Sequence, residues 1–271
     1  MIKKTDLRIP HYEVMKPTLM PLAFKKDWGY EHYGIKQFND LGYDGKGVRV
    51  AVIDTGVEWD HSFLDSYRGE LIIDSTVGDE GYDFDSHGSW CCSQFVGKYG
   101  WAPNLEALIS IKCMKEGQGE LQWFYDAVKL AIEYGADIIS ASLGWVDDGR
   151  VDKRLDEVMY ACKERGILFF GAAGNDGSYN DVDRPASHKC AISVGAHNKN
   201  LDRFDFSDLG HNLDVYQYGE GIGAMSGNRY GVLQGTSMAT PRAAAVAAMF
   251  IRHGASFNRE DLHKITECKK I

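Results

Sequence analysis

The fold is constrained most strongly by an alternation of short apolar runs with longer segments of helical period. The apolar runs lie at residues 48–53, 138–139, 167–170 and 192–194. Between them, apolar residues recur at helical spacing over residues 121–132 and 155–162. Strands buried on both faces are nearly continuous apolar runs, and the helices between them provide right-handed crossovers. The pattern therefore predicts an α/β fold with a mostly parallel central sheet flanked by helices.

The chain divides into two parts by composition. Residues 1–28 hold three of the six prolines and show no periodic pattern, which indicates an extended arm. Residues 29–271 contain no repeat or flexible linker, and their length suits one large α/β domain. Towards the end of the chain, an alanine-rich helix is expected over residues 243–251 and a final helix from residue 258 to about residue 269.

Charge and cysteine content exclude several classes of partner. The chain has 30 Lys and Arg against 39 Asp and Glu, a formal net charge of −9, which argues against nucleic acid. No apolar run approaches the ~20 residues that span a bilayer, and the N-terminal segment has no apolar signal core. The six cysteines form no C-x-x-C pair, which favours reduced thiols. We therefore expect a cytoplasmic protein without membrane or nucleic-acid partners.

Three polar residues occur where functional groups of such a fold gather, outside the carboxyl ends of the strands. Asp54 follows the apolar run at residues 48–53, His87 lies in Asp-Ser-His-Gly-Ser, and Ser237 opens the alanine-rich helix in Gly-Thr-Ser-Met-Ala-Thr-Pro. Each alone has a plain structural reading, as a turn aspartate, a loop histidine or a helix cap. Their significance depends on the combination.

Together these residues resemble the subtilisin-like serine proteases (the subtilase family, peptidase S8), in which aspartate, histidine and serine follow in this chain order. The resemblance covers residues 28–252. It is carried by segments 51–56, 87–89, 142–144, 172–175 and 235–241. It implies the three-layer subtilisin fold and the hydrolysis of peptide bonds through an acyl-enzyme intermediate.

The resemblance also implies roles for the residues. His87 would take the proton of Ser237, a poor nucleophile on its own, and return it to the leaving amine. Asp54 would hold the imidazole tautomer. Asn175 would donate from its side chain to the oxyanion, beside the backbone N–H of Ser237. A turn residue in Gly-Asn-Asp-Gly is the plain alternative for Asn175.

Two chain segments are implied to hold an extended substrate peptide through backbone hydrogen bonds. The implied substrate-binding residues are Gly117, Gln118, Gly119, Leu121, Ser142, Leu143, Gly144, Ala172, Ala173 and Gly174. Ala172, Ala173 and Gly174 would line the pocket for the residue before the cut. Leu121 would line a more distant subsite. Small wall residues favour a large apolar side chain there, whereas Asp181 and Asp183 in the closing loop would favour Lys or Arg.

The chain departs from the family pattern at several positions. Trp90 follows the histidine motif where the family has a second histidine, and Phe63 stands where the family has a calcium-binding aspartate. We therefore expect no metal and no cofactor, with a weak cation near residues 176–183 left open. Cys91 resembles a thiol that lies beneath the catalytic histidine in some members, either sensitive to mercury reagents or an inert buried cysteine.

Residues 7–14 resemble the short N-terminal extension of intracellular subtilisins, which blocks the cleft, although His11 separates Pro10 from Tyr12. We expect residues 5–15 to occlude the site; packing of this segment on the surface is the alternative. A catalytically silent scaffold that binds peptides or a partner protein, and a processing protease with one substrate, also stay open. A nucleotide-binding protein is disfavoured, because residues 171–175 lack a Gly-Lys-Ser/Thr ending.

Overall fold

Seven parallel strands form the central sheet in a computed structural model that describes residues 7–11, 13–15, 27–97, 99–179 and 181–254. The strands of these ranges are β1 (Leu7–Arg8), β2 (Glu13–Met15), β3 (Arg49–Asp54), β4 (Glu70–Ser75), β5 (Ala107–Lys112), β6 (Gln118–Gly119), β7 (Ile138–Ala141), β8 (Leu168–Ala172), β9 (Ala191–His197), β10 (Val215–Tyr218), β11 (Glu220–Met225) and β12 (Arg229–Gln234). The α-helices are α1 (Trp28–His32), α2 (Ile35–Asp40), α3 (His87–Cys92), α4 (Leu121–Glu133), α5 (Lys153–Glu164) and α6 (Thr236–Phe250). The sheet order is β10-β9-β8-β7-β3-β5-β4, and each neighbouring pair is parallel. The predicted fold class is confirmed.

Successive residues of β3 face two different hydrophobic clusters. Val50 and Val52 pack in the cluster that contains α6, whereas Ala51 and Ile53 pack in the cluster that contains α4 and α5. All four side chains are buried, because alternate residues of a strand point to opposite faces and helices cover both faces of this sheet. The result is a three-layer arrangement with the sheet in the middle.

Helix α6 begins at Thr236, one residue before the serine expected to open the alanine-rich helix of residues 243–251, and the residues between the motif and Ala243 are helical too. Pro241 interrupts the helical pattern, because it has no N–H to donate to the carbonyl of Ser237. Side chains outside the helix supply donors instead: the Ser142 hydroxyl lies 2.8 Å from that carbonyl, and the Cys91 thiol lies 3.8 Å away. The helix therefore extends back to the serine motif.

Arg242 is a fully buried cation on α6. Its guanidinium pairs with Asp27 and donates to the backbone carbonyls of Tyr218 and Glu220 and to the Gln94 side chain. Asp27 also caps α1 by accepting from the backbone N–H at residue 30. One ion pair therefore connects the start of the domain to its central helix.

The N-terminal segment adds strands to two small antiparallel sheets. β2 pairs with the edge of the β11–β12 hairpin, and β1 pairs with β6. The helix predicted from residue 258 to about 269 lies outside the described residues. Within the described ranges, none of the helices combines the length and the apolar character that a bilayer crossing requires.

Candidate active site

Asp54 and His87 form a buried hydrogen-bonded pair at the carboxyl end of the sheet. Asp54 is the last residue of β3 and His87 the first residue of α3, and both side chains are fully buried. His87 Nδ1 lies 2.7 Å from Asp54 Oδ1, which also accepts from the backbone N–H of Thr55 at 2.8 Å. An ionised carboxylate only accepts, so the proton lies on Nδ1. This tautomer makes Nε2 the basic nitrogen of the ring.

Ser237 lies in the first turn of α6, on the other side of the Cys91 thiol from His87. The thiol sulfur is 4.0 Å from His87 Nδ1 and 3.8 Å from the Ser237 carbonyl oxygen. The Ser237 hydroxyl donates to the Ser142 carbonyl at 3.2 Å. Two residues distant in sequence from the serine, Ser142 and Cys91, thus position it, and Ser237 with the Asp54–His87 pair forms one cluster.

Cys91 itself is fully buried. Burial raises the pKa of its thiol well above the ordinary value, and the nearby Asp54 carboxylate raises it further. A protonated thiol is a weak nucleophile, so this cysteine acts as a packing group and a weak hydrogen-bond donor. Cys91, Asp54 and His87 each offer one atom with metal-ligating chemistry, within 4.8 Å of one another. Asp54 and His87 are already joined to each other by a hydrogen bond.

The side-chain amide of Asn175 is held in one orientation by the start of α6. Its oxygen accepts from the Thr236 backbone N–H at 3.0 Å and from the Thr236 hydroxyl at 2.8 Å. The amide nitrogen consequently faces the cleft, where it donates to the backbone carbonyl of His11 at 2.8 Å. Asn175 therefore holds the His11 carbonyl beside Thr236, the first residue of α6. Thr236, which sets this orientation, carries no sequence signal apart from its place beside Ser237.

The first described segment of the chain, residues 7–11, lies as an extended strand between the two predicted substrate-binding edges. On one side Leu7 pairs with Gly119 and Arg8 with Gln118, and the N–H of residue 9 donates to the Gly117 carbonyl at 3.1 Å. On the other side Arg8 and Gly144 exchange two backbone hydrogen bonds, of 2.9 and 2.8 Å.

The side chain of Leu7 is fully buried, in the cluster against which Leu121 also packs. Leu143 belongs to the same cluster. The segment therefore occupies the cleft as an extended peptide would, with an apolar anchor at one end.

Of the two aspartates predicted near the pocket for the residue before the cut, only Asp183 lies at its wall. Asp183 is 5% exposed and its N–H donates to the Ala173 carbonyl at 2.8 Å, whereas Asp181 is exposed. Ala172 is also fully buried beside this wall. Asp208 was missed by sequence reasoning, because it lies in a polar loop without a motif. It reaches the same region and accepts from two backbone N–H groups.

Phe63, which we expect to replace a calcium-binding aspartate of the family, is 2% exposed in the hydrophobic core. Its side chain has no oxygen with which to bind a hard cation. This position therefore carries a packing residue.

A carboxylate, an imidazole and a hydroxyl gathered at the end of a parallel sheet is the arrangement used by serine hydrolases. The sequence profile of the subtilase family (Peptidase_S8) matches residues 45–268, and the chain belongs to this family. The predicted family is confirmed.

Several relatives are similar over most of this chain. It is 33% identical over 235 residues to Subtilisin NAT of Bacillus subtilis subsp. natto, covering 81% of this chain and 60% of that protein. It is 34% identical over 232 residues to an intracellular serine protease of Paenibacillus polymyxa, covering 80% and 70% of the two chains. Among solved structures, the prenylagaramide maturation protease PagA superposes with a TM-score of 0.71 at 26% identity, over 84% of each chain. The chain thus spans about 60% of the length of Subtilisin NAT.

Proposed function

We propose that this chain is a serine endopeptidase that hydrolyses peptide bonds in proteins or peptides through Asp54, His87 and Ser237. The observation that carries the proposal is the buried hydrogen bond between Asp54 and His87. The Cys91 thiol contacts both this histidine and the backbone carbonyl of Ser237. A second support is Asn175, whose amide donates to a peptide carbonyl in the cleft.

The reaction needs one rearrangement before chemistry. The Ser237 hydroxyl leaves the Ser142 carbonyl and donates to His87 Nε2, which takes its proton as Oγ attacks the substrate carbonyl carbon. The oxygen of that carbonyl becomes an anion, which the amide of Asn175 and the backbone N–H of Ser237 stabilise. His87 then protonates the leaving amine as the C–N bond breaks. Water, deprotonated by the same ring, hydrolyses the acyl-enzyme.

Labelling with a fluorophosphonate probe and cleavage of a denatured protein mixture test this proposal. We expect both once Leu7→Ala loosens the N-terminal segment in the cleft, and neither when Ser237→Ala is added, while adding Ser66→Ala, at an exposed serine, keeps both. A Leu7→Ala chain that remains folded yet is neither labelled nor cleaves would instead support a silent scaffold that binds peptides.

Similarity to a maturation protease supports a second candidate function, the processing of one dedicated precursor. The cleavage profile separates the two. Many products across the protein mixture indicate general proteolysis, whereas activity confined to a few related sequences indicates a processing enzyme.

We also propose that residues 1–28 form an auto-inhibitory extension on a peptidase domain of residues 29–271. The backbone pairing of residues 7–11 with both edges of the cleft supports this, as does the contact of Asn175 with His11. Pro10 has no N–H and a restricted φ, which disfavours regular pairing at the point where the segment passes the catalytic residues. Residues 5, 6 and 12 of the predicted occluding segment lie outside the described residues.

We also propose that the protein is cytoplasmic and works without a metal, a cofactor, a membrane or a nucleic-acid partner. Five of the cysteines are free thiols within the described chain, and the net charge is −9. The similarity to an intracellular serine protease agrees with this reading. Retention of full activity in a metal chelator would support the absence of a required ion, and loss of activity would contradict it.

A further inference from the structure

Three carboxylates converge beneath Gly174, at the carboxyl end of β8. A Cβ atom built on Gly174 would lie 2.1 Å from Asp208 Oδ2 and 3.2 Å from Asp183 Oδ2, and its φ of +115° also favours glycine. The third carboxylate, Asp176, follows two residues later and is half exposed at the rim. Glycine at 174 leaves the space that the Asp208 and Asp183 carboxylates occupy.

The carboxylate of Asp183 lies between the two walls of one pocket. Its N–H donates to the Ala173 carbonyl on one wall, and the next residue, Arg184, exchanges backbone hydrogen bonds of 2.8 Å with Trp145 on the other. A Cβ atom built on Gly144 would lie 3.4 Å from Asp183 Oδ2. The segment around residue 183 therefore closes the base of the space between residues 142–144 and 172–174.

This space opens beside the serine proposed as nucleophile. One wall begins at Ser142, whose carbonyl accepts from the Ser237 hydroxyl at 3.2 Å. The other wall ends at Asn175, which is bonded to Thr236. Ser237 would attack the carbonyl of one substrate residue. The side chain of that residue is the one that can enter between these walls.

Asp183 lacks the partners that a buried carboxylate ordinarily has. It is 5% exposed with residues 7–11 in the cleft, and its Oδ2 has no hydrogen-bond partner among the described residues. Burial raises its pKa to about 7, with Arg8 opposing the rise and Asp208 adding to it. Burying an incompletely paired carboxylate is costly, and groups perturbed in this way cluster at functional sites.

The chain itself supplies a cation to this cluster. The guanidinium of Arg8 lies 2.7 Å from Asp176 and 3.6 Å from Asp183 Oδ2. Arg8 comes from the segment paired with Gly144 and lies three residues before His11, whose carbonyl Asn175 holds, so its guanidinium reaches the cluster from the rim. The distance to Asp183 is longer than a hydrogen bond, so Arg8 covers the rim and leaves the deepest carboxylate incompletely paired.

We propose that Asp183, supported by Asp176 and Asp208, makes the pocket beside Ser237 select a Lys or Arg side chain at the substrate residue directly before the cut. This inference rests on the proposed endopeptidase function for its catalytic consequence, but the cation site itself does not. The walls contribute only the short side chains of Ala172 and Ala173. The carboxylate at the base gives that side chain a charge partner, where an apolar side chain would leave the carboxylate buried and unpaired.

Binding of the arylamidine probe 4-aminobenzamidine, followed by its fluorescence, tests the cation site without catalysis. The full-length Arg8→Ala variant vacates the cluster and is expected to bind the probe. Adding Asp183→Asn should weaken binding at least tenfold, while adding Asp181→Asn, an equal charge change on an exposed neighbour, should not. Absence of probe binding to Arg8→Ala, or equal weakening by both substitutions, would overturn the inference.

Peptide substrates that differ only in the residue before the cut test its consequence. In the Arg8→Ala background, kcat/KM for Arg and Lys should exceed that for Phe at least tenfold, and Asp183→Asn should reduce this ratio by a similar factor. A preference for Phe that Asp183→Asn leaves unchanged would refute the specificity. If no substrate is cut and Ser237 is not labelled, the endopeptidase proposal fails, and the probe measurement still decides whether the acidic subsite exists.

Discussion

Replacing Leu7 by alanine should release the proposed block of the cleft. The Leu7 side chain is completely buried, and full burial of a leucine contributes about 1.5–3 kcal/mol. Taking about 2 kcal/mol as the loss, and about 1.4 kcal/mol for each factor of ten, docking of the segment weakens about 30-fold. Where nearly all molecules are blocked, the open fraction and the initial rate rise by a similar factor.

The assay is the initial rate of hydrolysis of a fluorogenic peptide by the full-length chain, with mass spectrometry to confirm that the N-terminal segment is intact. Leu41→Ala is the matched control, since Leu41 is 73% exposed beside α2 and away from the cleft. An unchanged rate in Leu7→Ala, with Ser237 still labelled by a fluorophosphonate, would refute occlusion by this segment. A lower rate accompanied by a large fall in Tm would show that Leu7 acts as a core residue of the domain instead.

Three further substitutions test other parts of the structure. Asn175→Ala should lower kcat about 10²–10³-fold with little change in KM, the magnitude known for such a donor in subtilisin itself, and steady-state kinetics on an unblocked variant would measure it. Asp27→Ala should lower the free energy of unfolding by about 3 kcal/mol, because it leaves the buried Arg242 cation without its anion; urea titration beside Asp27→Asn checks this, and a loss under 1 kcal/mol would contradict it. Asp183→Asn should stabilise the protein at neutral and alkaline pH. The pKa of Asp183 is raised from 3.8 to about 7, so the folded chain holds this proton more tightly than the unfolded chain. Its contribution to stability therefore falls as the pH rises from about 4 to 7, and thermal unfolding at pH 5 and pH 8 should show a smaller decline in the variant.

The parts of the fold that were predicted are those encoded by local pattern. Strand β3 was expected at residues 48–53 and lies at Arg49–Asp54, and helix α4 was expected at 121–132 and lies at Leu121–Glu133. A strand buried on both faces and a helix buried on one face must each repeat their apolar residues at a fixed period. Helix α6 continues without a break from the serine motif through Pro241, which the pattern alone did not predict, because contacts from other segments replace the donor that Pro241 lacks.

The candidate site divides in the same way. Asp54, His87 and Ser237 were found because each lies in a short motif with a fixed chain order, and the chemistry needs those residue types. The sequence could not show which of Asp181 and Asp183 lies at the pocket, because both lie in one polar loop. In the structure Asp183 is buried and its N–H donates to the Ala173 carbonyl, whereas Asp181 is exposed.

The sequence by itself determined the family, the layered α/β architecture and the identity of the candidate catalytic groups, since these depend on periodicity and on motifs a few residues long. Only the tertiary structure decided which carboxylates line the pocket and how the N-terminal segment enters the cleft. Arg8 and Asp176 are separated by 168 positions, yet their side chains lie 2.7 Å apart. A pairing of that kind leaves no period or motif in the chain, because it is formed only when the sheet brings distant loops to one edge.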